Sequence, residues 1–134
     1  MIVVDVNVIA YFFIDGEKTA SARELLRRDP DWRLPALWRH EYLNVLATFA
    51  REGGATIVDA KTLWRRGIEL FGPREQDLDM ESALDLATEN RISAYDAQYV
   101  VLARRLQTVC VTEDQRLLKT FPELTRTMQA FAAP

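Results

Sequence analysis

Asp96 stands in the stretch "ISAYDAQYVVLARRL", residues 92–106, where a carboxylate is costly. Laid on a helix, it shares a face with Tyr99, Val100 and Ala103, at the i+3, i+4 and i+7 positions that stack together. That face is apolar until Arg104 and Arg105 near its end. A carboxylate there must be protonated, paired or bound to a cation. Three further acids occupy comparable places. Asp5 ends the β-branched run "MIVVDV" and is followed two residues on by Asn7, which points the same way in extended chain. Asp114 follows a second such run, "TVCVT", two residues after Thr112. Glu41 falls between Leu37 and Val45, at the edge of a helical apolar stripe. Gathered carboxylates raise one another's pKa unless divalent cations neutralise them. Oxygen ligands without a His or Cys cluster suit Mg²⁺ or Mn²⁺ rather than zinc. Such sites activate water and stabilise the leaving oxygen in phosphodiester cleavage.

Each residue also has a simpler reading. Ser93 with Asp96, and Thr112 with Gln115, have capping-box spacing. Asn7 and Asp114 suit helix N-caps, Asp5 could satisfy backbone donors at a strand end, and Glu41 could pair with Arg39 or reach outward. What favours chemistry is that all four acids fall where a parallel α/β sheet gathers its ligands, at the carboxyl ends of strands.

The elements that would place them there are legible in order. "MIVVDV" is a first strand, a helix begins at about Asn7 and breaks at 15–17, and a second runs from Lys18 to Arg28. An extended piece spans Trp32 to Leu34 between two prolines. A helix from Ala36 to Arg51 carries Trp38, Tyr42, Val45, Leu46 and Phe49 on one stripe, and "EGGA" ends it. Another runs from about Thr56 to Phe71, closed by "GPRE". Asp79 is the expected N-cap of a helix through Thr88, and the helix of Asp96 covers 94–106. Residues 108–112 form the second strong strand, "DQRLLKTF" a short helix and "TRTMQAF" a last strand. Strands alternating with helices, and uniformly apolar where strongest, predict a single α/β domain over residues 1–134 with a mostly parallel central sheet flanked by helices.

Bulk composition removes other classes. Hydrophobic residues make up 49% and charged ones 28% of 134, ordinary globular proportions rather than disorder. No apolar run approaches the roughly 18–20 residues of a membrane span, so no membrane partner is expected. The start lacks a basic segment and carries Asp5, so it reads as structure rather than signal peptide. Cys110 is the only cysteine, which excludes an internal disulfide or thiolate cluster and makes a reducing cytoplasm the expected compartment. A formal net charge of -3 argues against broad adhesion to nucleic acid, though local arginines can still meet phosphate. His40, the only histidine, falls on a polar helix side, leaving a Ser-His-Asp or Cys-His site without a base. "EGGA" has neither P-loop nor dinucleotide spacing.

With these residues in view, "VVDVNVI", "HEYLNVL", "ISAYDAQYVVLA" and "VTEDQRLLKTFP" together resemble the PIN-domain ribonucleases, most closely the VapC-type toxins of bacterial toxin–antitoxin pairs. They run through almost the whole chain, and no acidic position of the motif is lost. The resemblance implies a PIN-like sandwich with Asp5, Glu41, Asp96 and Asp114 as the acidic catalytic set, Asp5, Asp96 and Asp114 holding metal, and Asn7 and Thr112 in support. Asp5 and Asp96 would be the most direct ligands, with Asp114 and Glu41 acting through water, since Mg²⁺ keeps part of its hydration shell. It further implies Mg²⁺- or Mn²⁺-dependent cleavage of structured RNA in translation (transfer or ribosomal RNA), a homodimer, and a small cognate antitoxin covering the site. Arg39, Arg74 and Arg91 are candidate contacts to RNA. Three alternatives remain at this level: a PIN-domain nuclease with no toxin role, an aspartyl-nucleophile phosphohydrolase, weakened because Asn7 stands where that chemistry wants an acid, and a non-catalytic module whose acids cap helices.

Overall fold

The computed structural model describes residues 1–133. Five short strands pair, of which the first is apolar and β-branched throughout: β1 (Ile2–Val4), β2 (Trp32–Pro35), β3 (Glu75–Gln76), β4 (Cys110–Val111) and β5 (Thr125–Arg126). They form one sheet in the order β3-β2-β1-β4-β5. Every pairing is parallel, with Ile2 opposite Trp32, Val3 opposite Cys110, Leu34 opposite Glu75 and Cys110 opposite Thr125. Eight helices connect and cover the sheet: α1 (Val6–Phe13), α2 (Thr19–Arg28), α3 (Trp38–Arg51), α4 (Ile57–Phe71), α5 (Met80–Asn90), α6 (Ala94–Arg105), α7 (Gln115–Thr120) and α8 (Met128–Ala132). The fold is the α/β sandwich, a parallel central sheet flanked by helices, expected from the sequence.

The strand order dictates where a site can form. From β1 the chain steps outward to β2 and β3, then returns across the sheet to β4. Right-handed crossovers therefore place α1–α4 on one face and α5–α6 on the other. Connections leaving β1 and β4 diverge, and a crevice opens at their carboxyl ends. Helix α6 packs on β1, β2 and β4 and is covered in turn by α5. Seven consecutive residues, Ala97 to Ala103, are buried, so α6 is a central helix whose first turn reaches the crevice.

Aromatic rings fill the opposite layer. Trp32 stacks on Phe71 at 5.2 Å, Trp38 on Tyr42 at 5.7 Å and Tyr42 on Trp64 at 6.0 Å. The Tyr42 hydroxyl donates to the Leu63 carbonyl at 2.8 Å, tying α3 to α4. Gly67 is buried where the two helices cross, since a Cβ there would lie 2.5 Å from the Tyr42 ring.

Three expectations are corrected. The last segment is a strand only at Thr125–Arg126; Thr127 then accepts from the Ala130 N–H at 2.9 Å and caps α8 instead. Glu75, read as part of a helix stop, instead begins the edge strand Glu75–Gln76 beside β2. Helix α1 begins at Val6 with Asp5 in the N-cap position, so Asp5 and Asn7 are not two residues of one extended strand. Cys110 is fully buried in β4, a core residue as expected. Among the described residues, no helix is long and apolar enough to cross a membrane.

Candidate active site

Each of the four acids lies at the start of a helix beside the sheet's carboxyl edge. Asp5 ends β1, and its N–H donates to the Val111 carbonyl at 3.0 Å, which carries the β1–β4 pairing one step further. Its carboxylate is 5% exposed, and Oδ2 accepts from the Thr112 hydroxyl at 2.8 Å. Thr112, wholly buried after β4, uses the same oxygen to accept from the Asp114 N–H at 3.0 Å. One hydroxyl thus joins the backbone of one acid to the side chain of another. Asp114, not Thr112, caps α7: its Oδ1 accepts from the N–H groups of Arg116 and Leu117 at 2.9 and 3.1 Å. Ser93 caps α6 by accepting from the Asp96 N–H at 3.0 Å, and the Asp96 carboxylate, in that first turn, lies close enough to Asp5 and Asp114 to act on both. Glu41, in the first turn of α3, accepts from the Tyr99 hydroxyl at 2.6 Å; the simpler reading, a pairing with Arg39, does not hold, since Arg39 bonds Glu75.

The electrostatics show that these groups share one field. Burial, then the nearby charges of Asp96 and Asp114, raise Asp5 to about 6, against the Thr112 hydrogen bond that lowers it. Burial raises Glu41 to about 7, helped by Asp5 and Asp96 and opposed by the Tyr99 hydroxyl. Asp96 is also raised, by burial first and Asp114 second, with the Ser93 hydrogen bond and then the charge of Arg116 pulling the other way. Among the described residues, none of the four acids is in an ion pair. Nor do three acidic, His or Cys side chains close into a ready-made metal group. An all-oxygen set, partly buried and short of positive charge, nonetheless fits a hard divalent cation that retains some of its water.

The sequence candidates fare unequally. Asp5, Glu41, Asp96, Asp114 and Thr112 come together. Asn7 is exposed at the second position of α1 and lines a neighbouring cleft with Tyr11 and Lys18 instead. Arg39 is held by Glu75, and Arg74 contacts Asp31 at 3.3 Å. Arg91 is exposed, and its carbonyl receives the Arg116 guanidinium. Two residues of the site were missed. Tyr99 was read only as an apolar neighbour of Asp96, although a buried tyrosine hydroxyl needs a partner. Arg116, two residues past Asp114, was passed over inside a short helix, yet its charge acts on Asp96.

The PIN domain profile matches residues 2–122, from β1 through α7, and so includes all four acids. Among known proteins the chain is similar to Ribonuclease VapC3 of Pyrobaculum aerophilum, 27% identical over 126 residues that cover 92% of this chain and 96% of that one. Among solved structures it is similar to that of PAE2754 from Pyrobaculum aerophilum, with a TM-score of 0.77 over 96% of this chain and 91% of the other. Identity there is 20%, and the likeness is one of fold. The resemblance read from the four motifs is thereby met along nearly the whole chain, which belongs to the PIN-domain family.

Proposed function

We propose that the chain is a Mg²⁺- or Mn²⁺-dependent endoribonuclease, the toxin of a toxin–antitoxin pair, hydrolysing phosphodiester bonds in transfer or ribosomal RNA and so inhibiting translation. The observation that carries this reading is the convergence of Asp5, Glu41, Asp96 and Asp114 on the switch point without a paired cation. Family membership and the similarity to a protein named as a ribonuclease support the reaction class.

Asp5, Asp96 and Asp114 would hold the cation, Asp5 and Asp96 most directly. When bound, it supplies the positive charge that acidifies water and offsets charge on the departing oxygen. Thr112 orients Asp5 through its hydroxyl and holds the start of α7 through the Asp114 N–H. Glu41 has Oε1 engaged by Tyr99, leaving Oε2 to take a proton from the attacking water. A carboxyl raised to about 7 suits that task at neutral pH. The reading treats the chain as one domain acting as a homodimer in the cytoplasm, restrained by a cognate antitoxin. Exposed apolar side chains at Leu43, Ile57 and Val58 support a protein partner.

The test is cleavage of total transfer and ribosomal RNA by purified protein with Mn²⁺ or Mg²⁺, beside an EDTA control and Asp96→Asn. Discrete cuts that need both metal and Asp96 are expected. Absence of cutting, with metal also failing to raise the melting temperature, would overturn the reading.

A further inference from the structure

Among the Phe, Tyr and Trp side chains of the described residues, Tyr95 is the one that is exposed, at 64% of its surface; the others are buried or half-buried. Tyr42 and Tyr99 each give their hydroxyl to a partner, whereas the Tyr95 hydroxyl finds none among the described residues. The fold therefore gains little from this ring. Its place is specific, however: it precedes Asp96 in the first turn of α6. It lines a cleft of about 530 Å³ together with Leu37, His40, Glu41 and Asn44 of the β2–α3 segment. That volume is within the roughly 300–1,000 Å³ of small-ligand sites. Because Glu41 belongs to the acidic centre, the cleft opens directly onto it.

We propose that this cleft is a substrate subsite in which Tyr95 stacks on one unpaired base beside the scissile phosphate. The inference rests on the nuclease reading above and adds a substrate-positioning residue that the acidic set does not include. A solvated phenol ring can stack on any base, but only a base with a free face can receive it, so paired segments are excluded. The opposite wall presents the amide of Asn44 and the imidazole of His40, both able to donate to and accept from a base edge. Arg116, whose charge acts on Asp96 from the α7 side, supplies a cation for the backbone next to that base.

The test compares the full chain with Tyr95→Ala and Tyr95→Phe. The probe is a fluorescein-labelled single-stranded RNA decamer of mixed sequence, titrated by anisotropy with Ca²⁺ as the counter-charge. A blunt duplex of the same sequence is the competitor. Stacking is worth about 1–3 kcal/mol per base, so Tyr95→Ala should weaken decamer binding by about ten- to a hundredfold. Tyr95→Phe, which keeps the ring, should restore it, and the duplex should compete poorly. In Mn²⁺ cleavage assays, Tyr95→Ala should raise KM far more than it lowers kcat. Binding indifferent to Tyr95→Ala overturns the subsite. So does Tyr95→Phe as weak as alanine, or a change in oligomeric state with RNA binding intact, which would assign the ring to a protein contact. Wild type that binds the decamer through Tyr95 but never cuts would sink the nuclease reading and leave the subsite standing. Cutting without dependence on Tyr95 does the reverse, and neither binding nor cutting sinks both.

Discussion

The Tyr99 hydroxyl reaches Glu41 Oε1 at 2.6 Å, joining the core helix α6 to the first turn of α3 across 58 positions of sequence. Burial and the charges of Asp5 and Asp96 raise Glu41 to about 7, and this bond is the influence that holds it down. In Tyr99→Phe the donor is lost and the Glu41 carboxyl rises further. If Glu41 must be ionised to take a proton, RNA cleavage by Tyr99→Phe should fall at neutral pH and recover at higher pH. A pH–rate profile of kcat/KM checks this, the rising limb moving to the alkaline side. A limb that stays in place would remove Glu41 from the role of base.

Thr112 serves two acids with one hydroxyl, donating to Asp5 and accepting from the Asp114 N–H. Thr112→Val keeps the shape and removes both bonds within a fully buried environment. The expected loss is about 1–3 kcal/mol of stability, since a buried carboxylate oxygen and a backbone N–H lose their partner. Thr112→Ser should recover most of it. Urea unfolding at neutral pH in EDTA measures the difference, and equal stability of valine and threonine would show that the hydroxyl carries no weight.

The raised carboxyls also set a pH dependence of folding without metal. Asp5 moves from 3.8 to about 6 and Glu41 from 4.5 to about 7, so between these limits the folded chain binds more protons than the unfolded one. Stability must then fall as pH rises from about 4 to about 7, the sign opposite to that of salt-bridged acids. At Asp5 alone the effect is on the order of 3 kcal/mol. The melting temperature in EDTA should therefore be several degrees lower at pH 7.5 than at pH 5.5. Mn²⁺ should abolish the difference, because a cation bound only to the folded state stabilises the ionised form. Asp96→Asn should raise the EDTA value at the higher pH. A flat profile in scanning calorimetry would contradict the shared field.

How much of this was legible in sequence depended on whether a signal was local. Strand β1, the capped starts of α6 and α7, and the apolar stripe of α3 follow from periodicity and capping residues within a few positions. The four acids were visible because each breaks a local pattern. The Tyr99–Glu41 bond was not, since residues 58 apart meet only once the sheet order is fixed. Strand β3 was hidden because Glu75–Gln76 has no strand-forming side chains and owes its form to pairing with Leu34–Pro35. Asn7 misled for the opposite reason: its spacing from Asp5 suits a strand, but α1 begins between them. Tyr95 carries no local signal in the sequence, and only its exposure sets it apart.

The aromatic layer makes a last prediction, separate from the acids. Gly67 costs α4 helix propensity, about 1 kcal/mol relative to alanine, so an exposed glycine there would gain from Gly67→Ala. At the crossing with α3 the sign reverses. The added Cβ would sit 2.5 Å from Tyr42 Cε2 and 3.2 Å from Cζ, on a ring stacked between Trp38 and Trp64 and anchored by its hydroxyl to Leu63. The ring cannot turn away without breaking that bond or both stacks. Relief must come from parting α3 and α4, an overpacking cost of about 1–3 kcal/mol. Gly67→Ala should therefore lower the midpoint of urea unfolding. Because α3 also carries Glu41, the variant should loosen the Tyr99–Glu41 bond and reduce cleavage while metal-dependent stabilisation persists. A variant more stable than wild type would mean that helix propensity outweighs the ring contact, and that α3 and α4 are less tightly joined than the stacking distances indicate.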